Sequence, residues 1–319
     1  MTTTATPYLT SGDFAFEQDD DWAKIPPGYE FPEAAGVDVD ESDNVYVFNR
    51  GPHPVIVFDK DGNFLRSFGE DTFTEREHGI HISPDGFCYL VADAHHAIHK
   101  FDLQGKLLWT LGESGKEAPK WSGQPFNRPT HMAVSPKSGD IFVTDGYGNS
   151  RVHRYSPDGK LLLSWGEVGT DPGEFMNPHN VVVDEDEYVY VADRENNRVQ
   201  VFDGTGKLES IWNQVFKADG MCRDANGIFY VGELVGMHDT NALGHRITIL
   251  SKFGNRLARI GSPVQGDGPG EFNAIHGCAT DSQGNLYVAE VSYTMRGRRE
   301  DPPKIYKGLR RLKKVAARG

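Results

Sequence analysis

Cysteine is scarce in this chain, with only Cys88, Cys222 and Cys278 among 319 residues. An odd, widely spaced set inside apolar runs excludes a disulfide framework and reads as buried thiols, which places the expectation in a reducing, cytoplasmic compartment. Long apolar runs are missing too. No stretch nears the roughly 18 to 20 residues of a membrane span, and the start MTTTATPYLTSGDF has neither the basic nor the apolar part of a signal peptide, so no membrane is expected. Positive charge is in deficit, 33 Lys and Arg against 46 Asp and Glu, a net charge of -13. That sign repels a phosphate backbone and excludes nucleic acid as the main partner, the one basic cluster being Arg296 to Lys314. With 38% hydrophobic and 25% charged residues, disorder and coiled coil are also excluded.

What the chain has is a repeat. One unit reads GVDVDESDNVYVFNR and PVIVFDKDGNFLRSFG, another HMAVSPKSGDIFVTDGYGNSRVHRYSPDGKLLLSWG, a third NVVVDEDEYVYVADRENNRVQVFDGTGKLESIW. Each holds four short alternating runs divided by Asp-Gly, Asp-Asn or Asp-Glu turns, the signature of a four-stranded antiparallel meander. Aligned on Asp40, Ser83, Ser135, Asp184, Asp224 and Asp281, the units number six. Such sheets bury their faces only against one another, so the expected fold is all-β, a six-bladed propeller closed around a channel. The last unit supplies three runs, ending at GLRRLKKV, and Phe14 to Gln18 is expected to provide the fourth and close the ring. Residues 1–319 read as a single domain: an N-terminal arm (1–33), blades (34–319) and a basic segment (296–319). The turns VTDGYGNSRVHRY and VADRENNRVQVFD resemble NHL repeats, and Asp145 with Arg151 and Asp193 with Arg198 are expected to tie neighbouring strands.

Five residues before each aligning position stand Ala35, His78, Thr130, His179, Asp219 and His276. The first strand of each blade lines the channel, so histidines in alternate blades are related by an approximate three-fold axis and converge on one point. Three imidazoles with an open fourth position form the ligand set of a catalytic zinc. Histidine is 12 of 319 residues, and the pattern arises by chance on the order of once in a thousand. His95, His96 and His99 share no such register and read as either a solvated loop or a local metal tract. His131, one residue after the register, is expected inside the blade unless a bulge turns it to the channel. Near the ends of the second strands stand Arg50, Arg194 and Tyr147, on the rim where the first strands begin. Two guanidiniums imply an anionic ligand such as a carboxylate, the alternative being ion pairs with Glu195 or Glu233. Tyr147 is a candidate general base if the metal and the arginines depress its pKa from about 10.

The motifs HGI, NPHN, IHG, DGYGNSR, FNRG and ADREN together resemble the lyase domain of the peptidylglycine alpha-amidating enzymes. The resemblance runs over most of the chain. It implies a six-bladed NHL propeller with zinc on His78, His179 and His276, and Tyr147, Arg50 and Arg194 as catalytic residues. It also implies a calcium held through the carbonyls of Val37 and Ile80, although Gly277 stands where the family has a calcium-binding aspartate. Gly148 replaces a family cysteine that forms a disulfide. The implied reaction cleaves a carboxylate-bearing carbinolamide to an amide and glyoxylate or a related carbonyl product. Two other classes stay open: a propeller lactonase or esterase using a channel metal, and a non-catalytic NHL scaffold that binds protein.

Overall fold

The structure, a computed structural model, describes residues 8–73, 76–234 and 243–317. Six sheets follow one another round a central axis, each antiparallel; five step outward in chain order, and the sixth ends on strands of the N-terminal arm. Their innermost strands are Ala34–Val39, Glu77–Ile82, His131–Val134, Pro178–Val183, Ala218–Arg223 and Ile275–Thr280. This is the expected six-bladed propeller. Ring closure is as the sequence implied: Phe14–Asp19 pairs with Leu309–Lys314, Phe16 opposite Lys314 and Asp19 opposite Arg311. A further strand, Tyr8–Ser11, adds to it and makes this sheet five-stranded. Within the C-terminal basic segment, Leu309–Lys314 is a blade strand, where the fully buried Arg310 pairs with Glu290 at 2.5 Å.

Local chemistry explains the repetition. In four blades the aligning aspartate accepts backbone N–H groups of its own turn and the hydroxyl of the tyrosine six residues on, as in Tyr46 to Asp40 (3.1 Å), Tyr190 to Asp184 (2.9 Å), Tyr230 to Asp224 (3.4 Å) and Tyr287 to Asp281 (3.1 Å). One side chain thus caps the first turn and anchors the second strand. Each junction between neighbouring blades has its own apolar cluster, for example Tyr46, Phe48, Phe73, Leu90 and Phe101 between the first and second. Full burial of such a side chain contributes roughly 1.5–3 kcal/mol.

Of the two expected strand ties, Arg198 donates to Asp193 at 2.8 Å. Asp145 and Arg151 face each other in register but do not pair. The Asp145 carboxylate is taken by the Asn127 N–H (3.0 Å), Asn149 Nδ2 (2.8 Å) and His153 Nε2 (3.3 Å). Cys88, Cys222 and Cys278 are free thiols, Cys222 half-buried and the others buried. Among the described residues no helix is long and apolar enough to cross a membrane.

Candidate metal centre and its rim

The innermost strands begin irregularly. In five blades the ladder shifts register at the ring position, between Ala34 and Gly36, Glu77 and Gly79, Pro178 and Asn180, Ala218 and Met221, and Ile275 and Gly277. The extra residue of each bulge includes Ala35, His78, His179 and His276, and a bulge re-aims its side chain. The three imidazoles therefore leave the blades and meet on the axis: their ligand nitrogens lie within 4.8 Å of one another, all buried, and no other such group is found among the described residues. Ring centroids are 4.5 to 4.8 Å apart.

Each imidazole is fixed from behind by the same ring position of the next blade. His78 Nδ1–H donates to the Thr130 carbonyl at 2.6 Å, and His276 Nδ1–H to the Ala35 carbonyl at 2.6 Å. His179 Nδ1 lies 2.5 Å from the Asp219 carboxylate, the anion that stands behind this ring. With Nδ1 protonated, Nε2 carries the lone pair toward the axis. Burial, together with the charges of neighbouring histidines and arginines, pulls His78 and His179 well below their usual value and His276 down to about 3. The three rings are neutral at physiological pH.

Tyr147 Oη stands 2.8 Å from His78 Nε2 and 3.2 Å from His179 Nε2. One hydroxyl proton faces two bare nitrogens, so the point where the three rings meet is rich in lone pairs, which suits a divalent cation. Tyr147 reaches this place from the single helical turn Gly146–Asn149. A Cβ on Gly146 would fall 2.2 Å from the Pro178 carbonyl oxygen and one on Gly148 2.0 Å from Asn127 Oδ1. Both glycines are needed for the turn to pack this closely. Burial raises the Tyr147 phenol above its ordinary value, with Arg194 and Arg50 pulling the other way. The arginines alone do not depress it, so the condition for a general base falls to the metal and the arginines acting together.

Both predicted arginines reach the rim. Arg50 donates through Nε to the Glu77 carbonyl (2.8 Å) and pairs with the Glu33 carboxylate. Arg194 donates to Glu195 (2.9 Å) and, at 3.5 Å, to Asp219, and lies 5.7 Å from the Tyr147 ring centroid. Of the two carboxylates considered as alternative partners for these arginines, Glu195 pairs with Arg194, while Glu233 pairs with Arg246 and Arg259 and Arg50 takes Glu33 instead. Sequence reasoning overlooked Glu33, Asp219 as the orienting group behind His179, and two rim arginines, Arg76 and Arg128. Asp219 was readable, since it occupies the ring position beside a histidine blade.

Below the histidines the channel widens into a cavity of about 200 Å³ lined by Val37, Ile80, His131 and Gly277 among others. His131 faces this channel rather than the blade interior. The calcium set that the resemblance implies is incomplete here, because no carboxylate stands at Gly277. His95 and His99 form no ligand group: His95 Nδ1 is 3.3 Å from His99 Nε2, and His99 is buried with Nδ1 3.0 Å from the Thr110 hydroxyl.

Fold and site define a class, six-bladed NHL-repeat propellers with three histidines converging on the axis. The NHL repeat model matches residues 126–155 and 175–202, the stretches that carry Tyr147, His179 and Arg194. Among named proteins the chain resembles the amidating enzymes. It is 34% identical over 225 residues to the rat peptidylglycine alpha-amidating monooxygenase, covering 60% of this chain and 22% of that one. It is 31% identical over 240 residues to peptidyl-alpha-hydroxyglycine alpha-amidating lyase 1 of Drosophila melanogaster, covering 67% and 42%. The chain thus spans less than half the length of these relatives. A gluconolactonase from Xanthomonas campestris has the same fold, with a TM-score of 0.62 at 15% identity over 98% of this chain and 96% of that one.

Proposed function

We propose that the protein is a metal-dependent carbon-nitrogen lyase, with zinc on His78, His179 and His276. Its substrate is an alpha-hydroxylated N-alkyl amide of the type R-CO-NH-CH(OH)-COO⁻, which it cleaves to R-CO-NH2 and glyoxylate or a related carbonyl product. The observation that carries this reading is the Tyr147 hydroxyl held between His78 and His179, with Arg50 and Arg194 on the same rim. A bound zinc supplies electrophilic stabilisation of negative charge on a substrate oxygen. The residues do the rest. Arg50 and Arg194 each commit Nε and one terminal nitrogen to protein carboxylates or carbonyls, which leaves the other terminal nitrogen to hold the substrate carboxylate. Tyr147 exchanges a proton at Oη with the substrate hydroxyl. The reaction is a cleavage without water: the hydroxyl proton leaves, the carbon-oxygen bond becomes a carbonyl, and the amide nitrogen departs with the electron pair of the broken bond and gains a proton. The partner is therefore a small carboxylate-bearing molecule.

The test is elemental analysis with an assay of glyoxylate release from alpha-hydroxyhippurate. Native protein should hold about one metal per chain; His78→Ala should lose both metal and turnover, and Tyr147→Phe should keep the metal and lose about a hundredfold or more in turnover. Metal-free native protein after zinc is supplied would overturn the centre. Lactone hydrolysis without glyoxylate release would move the reading to a hydrolase.

A further inference from the structure

Two arginines that the lyase reading leaves unused converge at the same mouth. Arg76 donates Nε to Asp93 Oδ1 (2.9 Å) and Nη2 to Oδ2 (2.5 Å); Arg128 donates Nε (3.2 Å) and Nη2 (2.6 Å) to that same Oδ2. Asp93 is wholly buried, whereas the two guanidinium side chains are 39% and 40% exposed. A single arginine already neutralises the charge of the carboxylate. The second brings two like charges onto one oxygen, and the trio keeps a net positive charge in a chain of -13. Both residues sit two before the ring position, with φ of 65° and 59°, a left-handed backbone that Asn177 and Lys217 share at the same place in their blades. The carbonyls of Arg76 and Arg128 accept the N–H groups of Asp93 (3.2 Å) and Tyr147 (3.3 Å), which locks both arginines beside the tyrosine turn. The Arg128 guanidinium lies 4.7 Å from the Tyr147 ring centroid. Each guanidinium keeps Nη1 outside the pairing with Asp93. Among the described residues no second carboxylate pairs with those Nη1 groups, a phenol ring away from the histidines.

We propose that Arg76, Arg128 and Asp93 form an anion-recognising subsite that selects substrates whose acyl group ends in a second carboxylate, so that the preferred substrate is the hydroxylated amide of a dicarboxylic acid. This rests on the lyase reading for the orientation of the substrate, with its first carboxylate on Arg50 and Arg194. Asp93 acts as a positioning residue. Burial alone would raise its carboxyl, but its hydrogen bonds and charge contacts with Arg76 and Arg128 hold it below the usual carboxylate range, so it stays ionised and keeps both forks aimed.

The test uses binding, so that it does not depend on turnover. N-succinylglycine and N-butyrylglycine differ only in a terminal carboxylate against a methyl group, and calorimetric titration of the zinc-loaded protein gives their affinity ratio. The expected ratio is tenfold or more in favour of the succinyl compound, the size of a charge-assisted pair. It should fall toward one in Arg128→Gln and in Arg76→Gln, and Arg128→Lys should recover only part of it, because an ammonium lacks the fork. Thermal melting of each variant checks that the propeller is intact. Equal affinities in the native protein, or a ratio that survives in the folded double variant, would overturn the subsite. Turnover of hydroxylated butyrylglycine without any such preference would leave the lyase standing and remove the subsite. A preference without turnover of either hydroxylated compound would remove the lyase and leave the anion site.

Discussion

At the scale of single residues, the protein separates histidines that face the axis from one that tests the energetics of burial. His99 is enclosed by His95, Thr110 and the edge of Phe73, 5.2 Å away, and is remote in sequence from the ring positions. Burial, followed by the charge of His95, lowers its pKa from 6.5 to about 4. The unfolded chain binds a proton near 6.5, the folded chain only near 4. Its contribution to stability is therefore complete above pH 6.5, falls as the pH drops through the interval, and has no further to fall below 4. Between pH 7 and 5 this amounts to about 2 kcal/mol. His99→Gln should lose that part of the pH dependence, read from urea midpoints at the two pH values. An unchanged dependence would show that His99 keeps its proton chemistry on folding. The residue scale is also where the sequence was least legible. Arg76 and Arg128 are brought together only by Asp93, and no spacing along the chain advertises a carboxylate shared through space.

Elements explain why the ring was legible at all. The aspartate-tyrosine anchor fixes the first turn in four blades, and Ser83 and Ser135 occupy the same place in the other two, so residues counted back from it land at the same height and alternate histidines become a ring. The bulge was not visible, because period-two alternation carries no mark of an inserted residue. Its trace lies one position later: Gly36, Gly79, Gly220 and Gly277 follow the ring position in four blades. A Cβ on Gly79 would sit 2.7 Å from the Thr130 carbonyl oxygen and 2.9 Å from His131 Cδ2. That carbonyl is the acceptor that fixes His78. Gly79→Ala should accordingly push the third blade away, cost about 1–3 kcal/mol of stability and weaken metal binding by roughly 10- to 100-fold, measured by chelator competition. Undiminished metal affinity in the variant would mean that the carbonyl does not orient the ligand.

For the whole molecule, ring closure and the metal centre are one problem. The sheet that the N-terminal arm completes also contains the innermost strand Ile275–Thr280, so the strand that closes the propeller stands in the same layer as His276. Phe16 is fully buried in the cluster of the fifth and sixth blades with Leu9, Tyr230, Phe272, Leu286 and Leu312. Gln18 accepts the Gly270 N–H at 2.9 Å, and Arg311 pairs with Asp19. His276 in turn is fixed by the Ala35 carbonyl across the sixth junction, where the last blade meets the first. A propeller opened at its closure would lose that acceptor before it lost any ligand. Phe16→Ala leaves the ladder but removes the wedge, so it should cost about 3–5 kcal/mol, with one cooperative transition moved to lower denaturant. Because a ligand bound only by the closed ring stabilises it by mass action, zinc should raise the midpoint of this variant as it does that of the native protein. A variant as stable as the native protein would show that the arm decorates a ring already closed by other contacts. A folded variant with no metal-dependent gain would instead place closure itself in the service of His276.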